Sequence, residues 1–439
     1  MSTRIPKRPA AFCALGVTLA VGATGCGAGA KTAAKSATSV TCGFSAPKQS
    51  TTVNVLAYNS SAIDPFTNTM VKSCSHDGVT LKHDPIDFGG QVQKTVATLS
   101  GSKGSYDIIE TYGFVIPEYA STKKLMPLDG LFKKYAAKYK LNAINKNMRT
   151  AMTYDGKLYG LPMQAQVFVM AYRKDIFKKL GLTPPTTFAE LRTDAAKIQK
   201  SGGVKYPIAL PLLASNDITY SYQSALNSLG AHYVDPKTKK PNFDTPQGRK
   251  AFKALMSLKP YMSPDVTTFD QPKVQQQMYN GSAAIAIMYS GRMSDLTQKS
   301  NTKYADKFGF AAPPTVAGGK YEYNNLSVDG WSIPTNTSLS KDMLFQMISS
   351  AVSEKASKSA LPAAYPARDG VVTDSSMPYA AAANNAIKHA LPADTHTYVS
   401  KISNDTRAVV GSVFLGKTSI AAGVKKMQQI AEKDVAASQ

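Results

Sequence analysis

The chain has 439 residues, 51 lysines and arginines against 29 aspartates and glutamates for a formal net charge of +22, and 43% hydrophobic residues. That length exceeds what one hydrophobic core usually supports, so two lobes are expected; no stretch beyond residue 26 approaches the roughly 20 apolar residues of a membrane span, so the mature part is expected to be soluble. The lysines are scattered singly or in pairs without interleaved aromatics, which argues against a nucleic-acid platform; a solvated surface facing an anionic cell envelope is the plain account of the charge, and an anionic ligand the sharper one.

Arg4, Lys7 and Arg8 precede an Ala-rich apolar stretch from Ala10 to Val21, and Ala23-Thr24-Gly25 leads into Cys26. This is the layout of a secretory signal, here residues 1–25. Ala23-Thr24-Gly25-Cys26 also resembles a bacterial lipobox, which implies that Cys26 is diacylated and tethers the chain outside the bacterial cell membrane. An ordinary signal cleaved near Gly25 is the alternative. Residues 26–49 are Ala, Ser, Thr and Lys with almost no large apolar side chain and are expected to form a flexible stalk. With Cys13 leaving in the signal and Cys26 lipidated, Cys42 and Cys74 remain as a pair in an oxidising compartment and are expected to form a disulfide. Such a closed loop is worth roughly 3–4 kcal/mol in the chain-entropy picture.

Thr52 to Tyr58 reads as a strand, Gly78 to Asp84 as a second and Tyr106 to Glu110 as a third, while Val92, Val96 and Leu99 give the segment from Gln91 to Leu99 a helical spacing. Strand, helix, strand, helix, strand begins a parallel sheet with right-handed crossovers, whose ligands lie beyond the carboxyl ends of the strands. That rule points at Tyr58-Asn59-Ser60, at the loop after Asp84 and at Thr111-Tyr112.

From Tyr154 to Leu191 the sequence packs several signals together. Asp155-Gly156 between tyrosines marks a hairpin, Gly160-Leu161-Pro162 ends it, and Val167 to Tyr172 is an apolar strand. Pro184-Pro185 then enforces an extended segment before Thr187 and Glu190, which stand at the spacing of a capping box. A helix from Phe188 to Lys200 follows, then a strand from Tyr206 to Leu213 and a polar, aromatic loop containing Asp217, Tyr220, Tyr222 and Gln223. Gly281 to Tyr289 is a short buried strand ending in Ser290-Gly291-Arg292, and Phe308 to Pro314 is a strand stopped by a double proline. A turn is expected at Asp329-Gly330-Trp331, an amphipathic helix from Ser338 to Val352, and a helical tail from Thr406 to Ala436 with one Gly-Lys interruption.

The passage of hairpin, Gly-x-Pro, apolar strand, Tyr-x-Lys-Asp, Gly-Leu and Pro-x-Thr-x-x-Glu resembles the extracellular solute-binding proteins that feed sugar-type ABC importers. GSAAIAIMYSGR, VDGWSIPTNTSLSKDM and LPAAYPARDGVV extend the resemblance, which runs from about Thr52 to the C-terminus. It implies an α/β, two-lobed periplasmic-binding-protein-like (type II) fold with a hinge and an interlobe ligand cleft. By that analogy lobe one is 50–165 plus 318–366 and lobe two is 166–317 plus 367–439. It further implies a monomer that closes on its ligand, with hinges near Gln164 to Val167 and Pro313 to Gly318, and then docks on permease subunits.

A sugar offers hydroxyls and a weakly apolar face, so its pocket needs aromatic platforms and planar polar groups. The candidate ligand residues are Tyr58, Asn59, Gln91, Thr111, Tyr112, Gln164, Gln166, Asp217, Tyr220, Tyr222, Gln223, Tyr289, Arg292, Asp329, Trp331 and Arg368. Trp331, the sole tryptophan, is the foremost stacking candidate. Where sugar binders of the family often carry a tryptophan and a carboxylate after the third strand, this chain has Thr111-Tyr112-Gly113-Phe114, and Arg292 with Arg368 suits an acidic sugar or sugar phosphate as an alternative. Arg368 has a second reading, as a structural donor to backbone carbonyls.

Enzymatic readings fare poorly. Ser100-Gly101-Ser102-Lys103 fits Ser-x-x-Lys without its companion motifs, there is no Gly-x-Ser-x-Gly, and Gly416-Lys417-Thr418 lacks the upstream glycine of a phosphate loop. His76, His83, His232, His389 and His396 lack metal-ligand spacing, and no cofactor is expected. Tyr220-Ser221-Tyr222 only approximates the adjacent tyrosines of ferric-binding relatives, and the rim offers few carboxylates for a polyamine or peptide. A carbohydrate is the expected ligand.

Overall fold

The computed structural model describes residues 37–438. The signal, Cys13, the lipidation site Cys26 and the first part of the stalk lie outside the described residues. Twelve strands follow in chain order: β1 Thr51–Leu56, β2 Val79–His83, β3 Ile108–Tyr112, β4 Thr153–Tyr154, β5 Lys157–Leu158, β6 Leu161–Gln166, β7 Phe168–Arg173, β8 Ile208–Ala209, β9 Ile285–Tyr289, β10 Phe308–Ala311, β11 Ser327–Ser332 and β12 Tyr365–Pro366.

The strands form two larger sheets and one hairpin. The first sheet has the order β12-β6-β11-β3-β1-β2 and the second β10-β7-β9-β8. In the first, β1 runs parallel to β2 and β3, and β11 inserts antiparallel between β3 and β6. The central strands are apolar on both faces because helices cover both, as with Val53, Val55, Ile108 and Ile109. A core surrounds each sheet. One draws on residues between Cys42 and Ala165 and again between Val328 and Ala367. The other draws on residues between Val167 and Tyr323 and again between Met377 and Val435.

Local chemistry explains the passage between the sheets. The β4–β5 hairpin turns at Asp155 (φ 46°) and Gly156 (φ 72°), both in the left-handed region that a two-residue type I′ turn demands. Only Val167 separates β6 in the first sheet from β7 in the second. The helix Phe188–Lys200 begins with the full capping box: Thr187 Oγ1 accepts from the Glu190 N–H, and the Glu190 carboxylate accepts from the Thr187 N–H.

Three local expectations are corrected. The polar stretch around Tyr220 is the helix Asp217–Ser228, not a loop; Thr219, Ser221 and Ser224 hydroxyls donate to backbone carbonyls, which lets a polar sequence be buried. Asp329-Gly330-Trp331 is the middle of β11, where a Cβ on Gly330 would meet Leu161 O at 2.6 Å, so glycine here serves close strand approach. Residues 37–49 are docked on the first core: the Val40 N–H donates to Ser73 Oγ (3.0 Å), Gly43 O accepts from Lys138 Nζ (2.9 Å) and Tyr139 Oη (3.1 Å), and Phe44 stacks on His76. Cys42 and Cys74 are adjacent there, Cα atoms 5.3 Å apart, the spacing of a bridged pair.

Candidate ligand-binding site

The site is built on one row of the first sheet. Gln164 stands opposite Asp329, Asp329 opposite Tyr112, and Trp331 opposite Glu110, so strand alternation puts all five on one face. Gln164 Nε2 donates to Asp329 Oδ2 (2.9 Å). At the end of β1 the Tyr58 N–H donates to Glu110 Oε2 (3.0 Å). Gln91 is buried beneath, donating from Nε2 to the Glu110 carbonyl (2.9 Å) and accepting from Tyr112 Oη (3.1 Å), so it positions the end of β3.

Lobe two approaches this row through the turn after β9. The Gly291 N–H donates to Gln166 Oε1 (3.0 Å), Ser61 Oγ donates to Asp295 Oδ2 (3.2 Å), and the Val167 N–H donates to Ser290 Oγ. A line of rings crosses as well: Tyr58 to Phe88 (5.7 Å), Phe88 to Tyr112 (5.4 Å), Tyr112 to Phe114 (5.4 Å) and Phe114 to Tyr220 (5.8 Å). Phe114 and Tyr220 also line a small pocket, together with Gln223, Asn227, His232 and Asn325.

The electrostatics are those of acids out of water. Burial pushes the Asp329 carboxyl up to about 7, with hydrogen bonds from Gln164 and Gln166 opposing. Burial and the neighbouring Asp329 push Glu110 well above the carboxylate range. Tyr58 is raised by burial and then by Asp329 and Glu110, with Arg292 opposing, and Tyr289 of lobe two is raised by burial and by the fields of Tyr220, Asp217 and Asp329. Asp217 rises to about 6 through burial and the nearby Asp270. Tyr58, Tyr112, Gln164, Gln166, Asp329, Tyr289, Arg292, Asp217 and Tyr220 are thereby brought together, with Gln223 in the adjoining pocket.

Other candidates stand elsewhere. Trp331 is fully buried in the first core, because its strand is central and covered, so it offers no stacking face. Tyr222 is fully buried in the second core, its Oη donating to Gly248 O (3.2 Å); two residues along a helix from Tyr220, it points to the opposite side. Arg368 donates to the carbonyls of Val352, Lys140 and Tyr139, so its structural reading holds. Thr111 alternates to the far face and bonds Ser332 Oγ (2.6 Å). The Asn59 side-chain amide lies against the Asp64 carboxylate. Glu110 and Phe88 are not among the residues expected from sequence; Glu110 is the residue two before Tyr112, so strand alternation was the available signal. Among the described residues no group of His, Cys, Asp or Glu is placed to hold a metal ion.

Two lobes, each with its own sheet and core, joined by crossing strands and meeting at a polar, aromatic cleft, define a binding protein of the two-lobed periplasmic type. The sequence profile of the bacterial extracellular solute-binding proteins matches residues 75–355, and the chain belongs to that family. It is 27% identical over 244 residues to the mannitol-binding protein of Pseudomonas aeruginosa, covering 55% of each chain, and spans about half the length of the curated relatives it matches. Its fold is similar to an ABC transporter solute-binding protein of Agrobacterium vitis solved with D-mannitol (TM-score 0.75, 22% identity, 88% of this chain and 98% of that one). It is also similar to maltose-bound MalE3 of T. maritima (TM-score 0.78, 17% identity, 87% and 99%).

Proposed function

We propose that the protein is the substrate-capturing component of an ABC importer, taking up a carbohydrate or polyol by lobe closure and delivering it to a membrane permease. The observation that carries this reading is the convergence of Tyr58, Glu110, Gln164 and Asp329 from one lobe on Tyr289 and Arg292 from the other, with Gln166 at the junction bonded to Gly291. Amide and carboxylate groups chelate hydroxyls, and the rings supply an apolar face. The lobes divide as 50–165 plus 318–366 and 166–317 plus 367–439, with the rotation absorbed near Val167. The mature protein is a monomer held to the cell membrane through Cys26, with Cys42 and Cys74 oxidised. An anionic ligand is less well supported, since Arg368 is committed to carbonyls and only Arg292 remains.

Calorimetry and small-angle scattering with polyols and malto-oligosaccharides test the reading. Saturable binding with a smaller radius of gyration is expected. Scattering unchanged by a tightly bound ligand rules out capture by closure.

A further inference from the structure

The pocket beside Phe114 and Tyr220 has two unlike sets of lining residues. Phe114, Ala151 and Val328 supply apolar side chains. The helix Asp217–Ser228 contributes Gln223 and Asn227, and the segment 391–395 contributes Asp394, with His232 beside them. A sugar or polyol has the same two characters, carbon-bound hydrogens on its faces and hydroxyls at its edges.

Two oxygens of the polar set have no partner. Asn227 is 7% exposed and its Oδ1 accepts no hydrogen bond, and the Asp394 side chain is 3% exposed and its Oδ2 accepts none. The Gln223 amide likewise makes no hydrogen bond among the described residues. Buried polar groups are ordinarily bonded, and here the unbonded ones gather around one cavity.

Asp394 is nonetheless held in place. Its Oδ1 accepts from His396 Nδ1 (2.6 Å) and from the His396 N–H (3.1 Å), and the His396 ring stacks on Tyr398 with centroids 4.9 Å apart. His396 Nε2 lies 2.9 Å from Lys239 Nζ; an ammonium only donates, so Nε2 accepts and Nδ1 donates to Asp394. Lys239 therefore meets the ring and not the carboxylate, and no lysine or arginine lines the pocket. Burial holds His232 below its ordinary value, with the Asp394 carboxylate opposing, so His232 brings no positive charge at neutral pH. A chain of +22 draws anions to its surface, whereas an anion in this pocket meets a carboxylate oxygen with no cation to offset it.

We infer that this pocket is a selectivity subsite, in which Gln223, Asn227 and Asp394 receive a hydroxyl-bearing end of the ligand and Asp394 turns away ligands that end in a carboxylate or phosphate. A hydroxyl can donate to Asp394 Oδ2 or Asn227 Oδ1 and accept from the Gln223 amide; an ionised acid brings acceptors alone. The inference rests on the reading of the protein as a carbohydrate or polyol receptor and adds what that receptor refuses.

The experiment is titration calorimetry of the intact mature protein at pH 7 with probe pairs that differ only in a terminal hydroxymethyl or carboxylate: sorbitol against gluconate, mannitol against mannonate, and maltitol against maltobionate. The neutral member is expected to bind about tenfold tighter or more than its acid, against the attraction that the net charge exerts on anions. Asp394→Asn is expected to narrow that ratio about tenfold by strengthening the acid, a gain that damage to the fold does not produce. Asn227→Ala is expected to weaken the neutral member about tenfold at an unchanged melting temperature. The wild-type ratio is read whether or not a variant folds. If the acids bind as tightly as their neutral partners or more tightly, or if folded Asp394→Asn leaves the ratio as it was, the inference is overturned and the carbohydrate reading stands. If the folded wild-type protein binds no probe of either kind, both are overturned.

Discussion

The Gly291 N–H donates to Gln166 Oε1 at 3.0 Å, tying the turn after β9 of the second sheet to the last residue of β6 in the first sheet. A Cβ at Gly291 would stand 2.9 Å from Gln166 Nε2 and 3.1 Å from the Ala62 Cβ, tighter than ordinary contact. Gly291→Ala is therefore expected to wedge the lobes apart. Scattering should show a larger radius of gyration and calorimetry a weaker ligand affinity, with the melting temperature little changed; an unaltered radius would show that this contact does not set the lobe angle.

Trp331 is fully buried in the first core, so its emission is expected to be blue-shifted and shielded from iodide. Trp331→Ala should cost about 3–5 kcal/mol of stability through cavity formation. Ready quenching of wild-type tryptophan emission by iodide would contradict this placement.

Tyr220 and Tyr222 separate function from packing on one helix. Tyr222→Phe removes a buried hydroxyl bonded to Gly248 O and should cost about 1 kcal/mol in denaturant titration without changing affinity. Tyr220→Ala removes the ring that meets Phe114 across the cleft and should weaken ligand binding by about tenfold, the scale of one aromatic contact with its buried area.

Oxidation of Cys42 and Cys74 is expected to staple residues 37–49 to the first core. Peptide mapping without reductant should recover the two cysteines linked, and the double Cys→Ser variant should lose roughly 3 kcal/mol in chemical denaturation. Free thiols in protein secreted from an oxidising host would refute the pairing.

Stability should fall as pH rises from about 4 to about 7. Asp329 is raised to about 7, Glu322 to about 7 and Asp64 and Asp217 to about 6, in each case chiefly by burial. A carboxyl whose folded value is raised contributes stability in full below its unfolded value near 4, and that contribution disappears as pH climbs through the folded value. Asp329→Asn should flatten the profile, read as melting temperature against pH, between about pH 4 and 7.

Much of this was legible in the residues. Apolar runs marked β1, β3, β7 and β9, the Asp155-Gly156 pair marked its turn, and Thr187 with Glu190 marked a helix start, because each signal is local. The site was legible only in part. Asp329 and Gln164 were found, but their pairing depends on β11 inserting between β3 and β6, strands more than 150 residues away in sequence. Asp-Gly-Trp reads locally as a turn, and only the close approach of Leu161 makes Gly330 a strand residue. Tyr220 to Gln223 looked like a loop because the hydroxyls that suit loops also suit a helix when carbonyls lie one turn back.

The first core joins Val53 and Phe66 to Trp331, Phe345 and Ile348, so side chains made early must wait for partners made nearly 280 residues later. A chain emerging from a membrane pore end first cannot complete that core until its last quarter is out. Export therefore presents a half-built hydrophobic interior to the outside for most of the transit, the interval in which exposed apolar surface most readily aggregates and in which folding helpers at the membrane face would have the longest time to act.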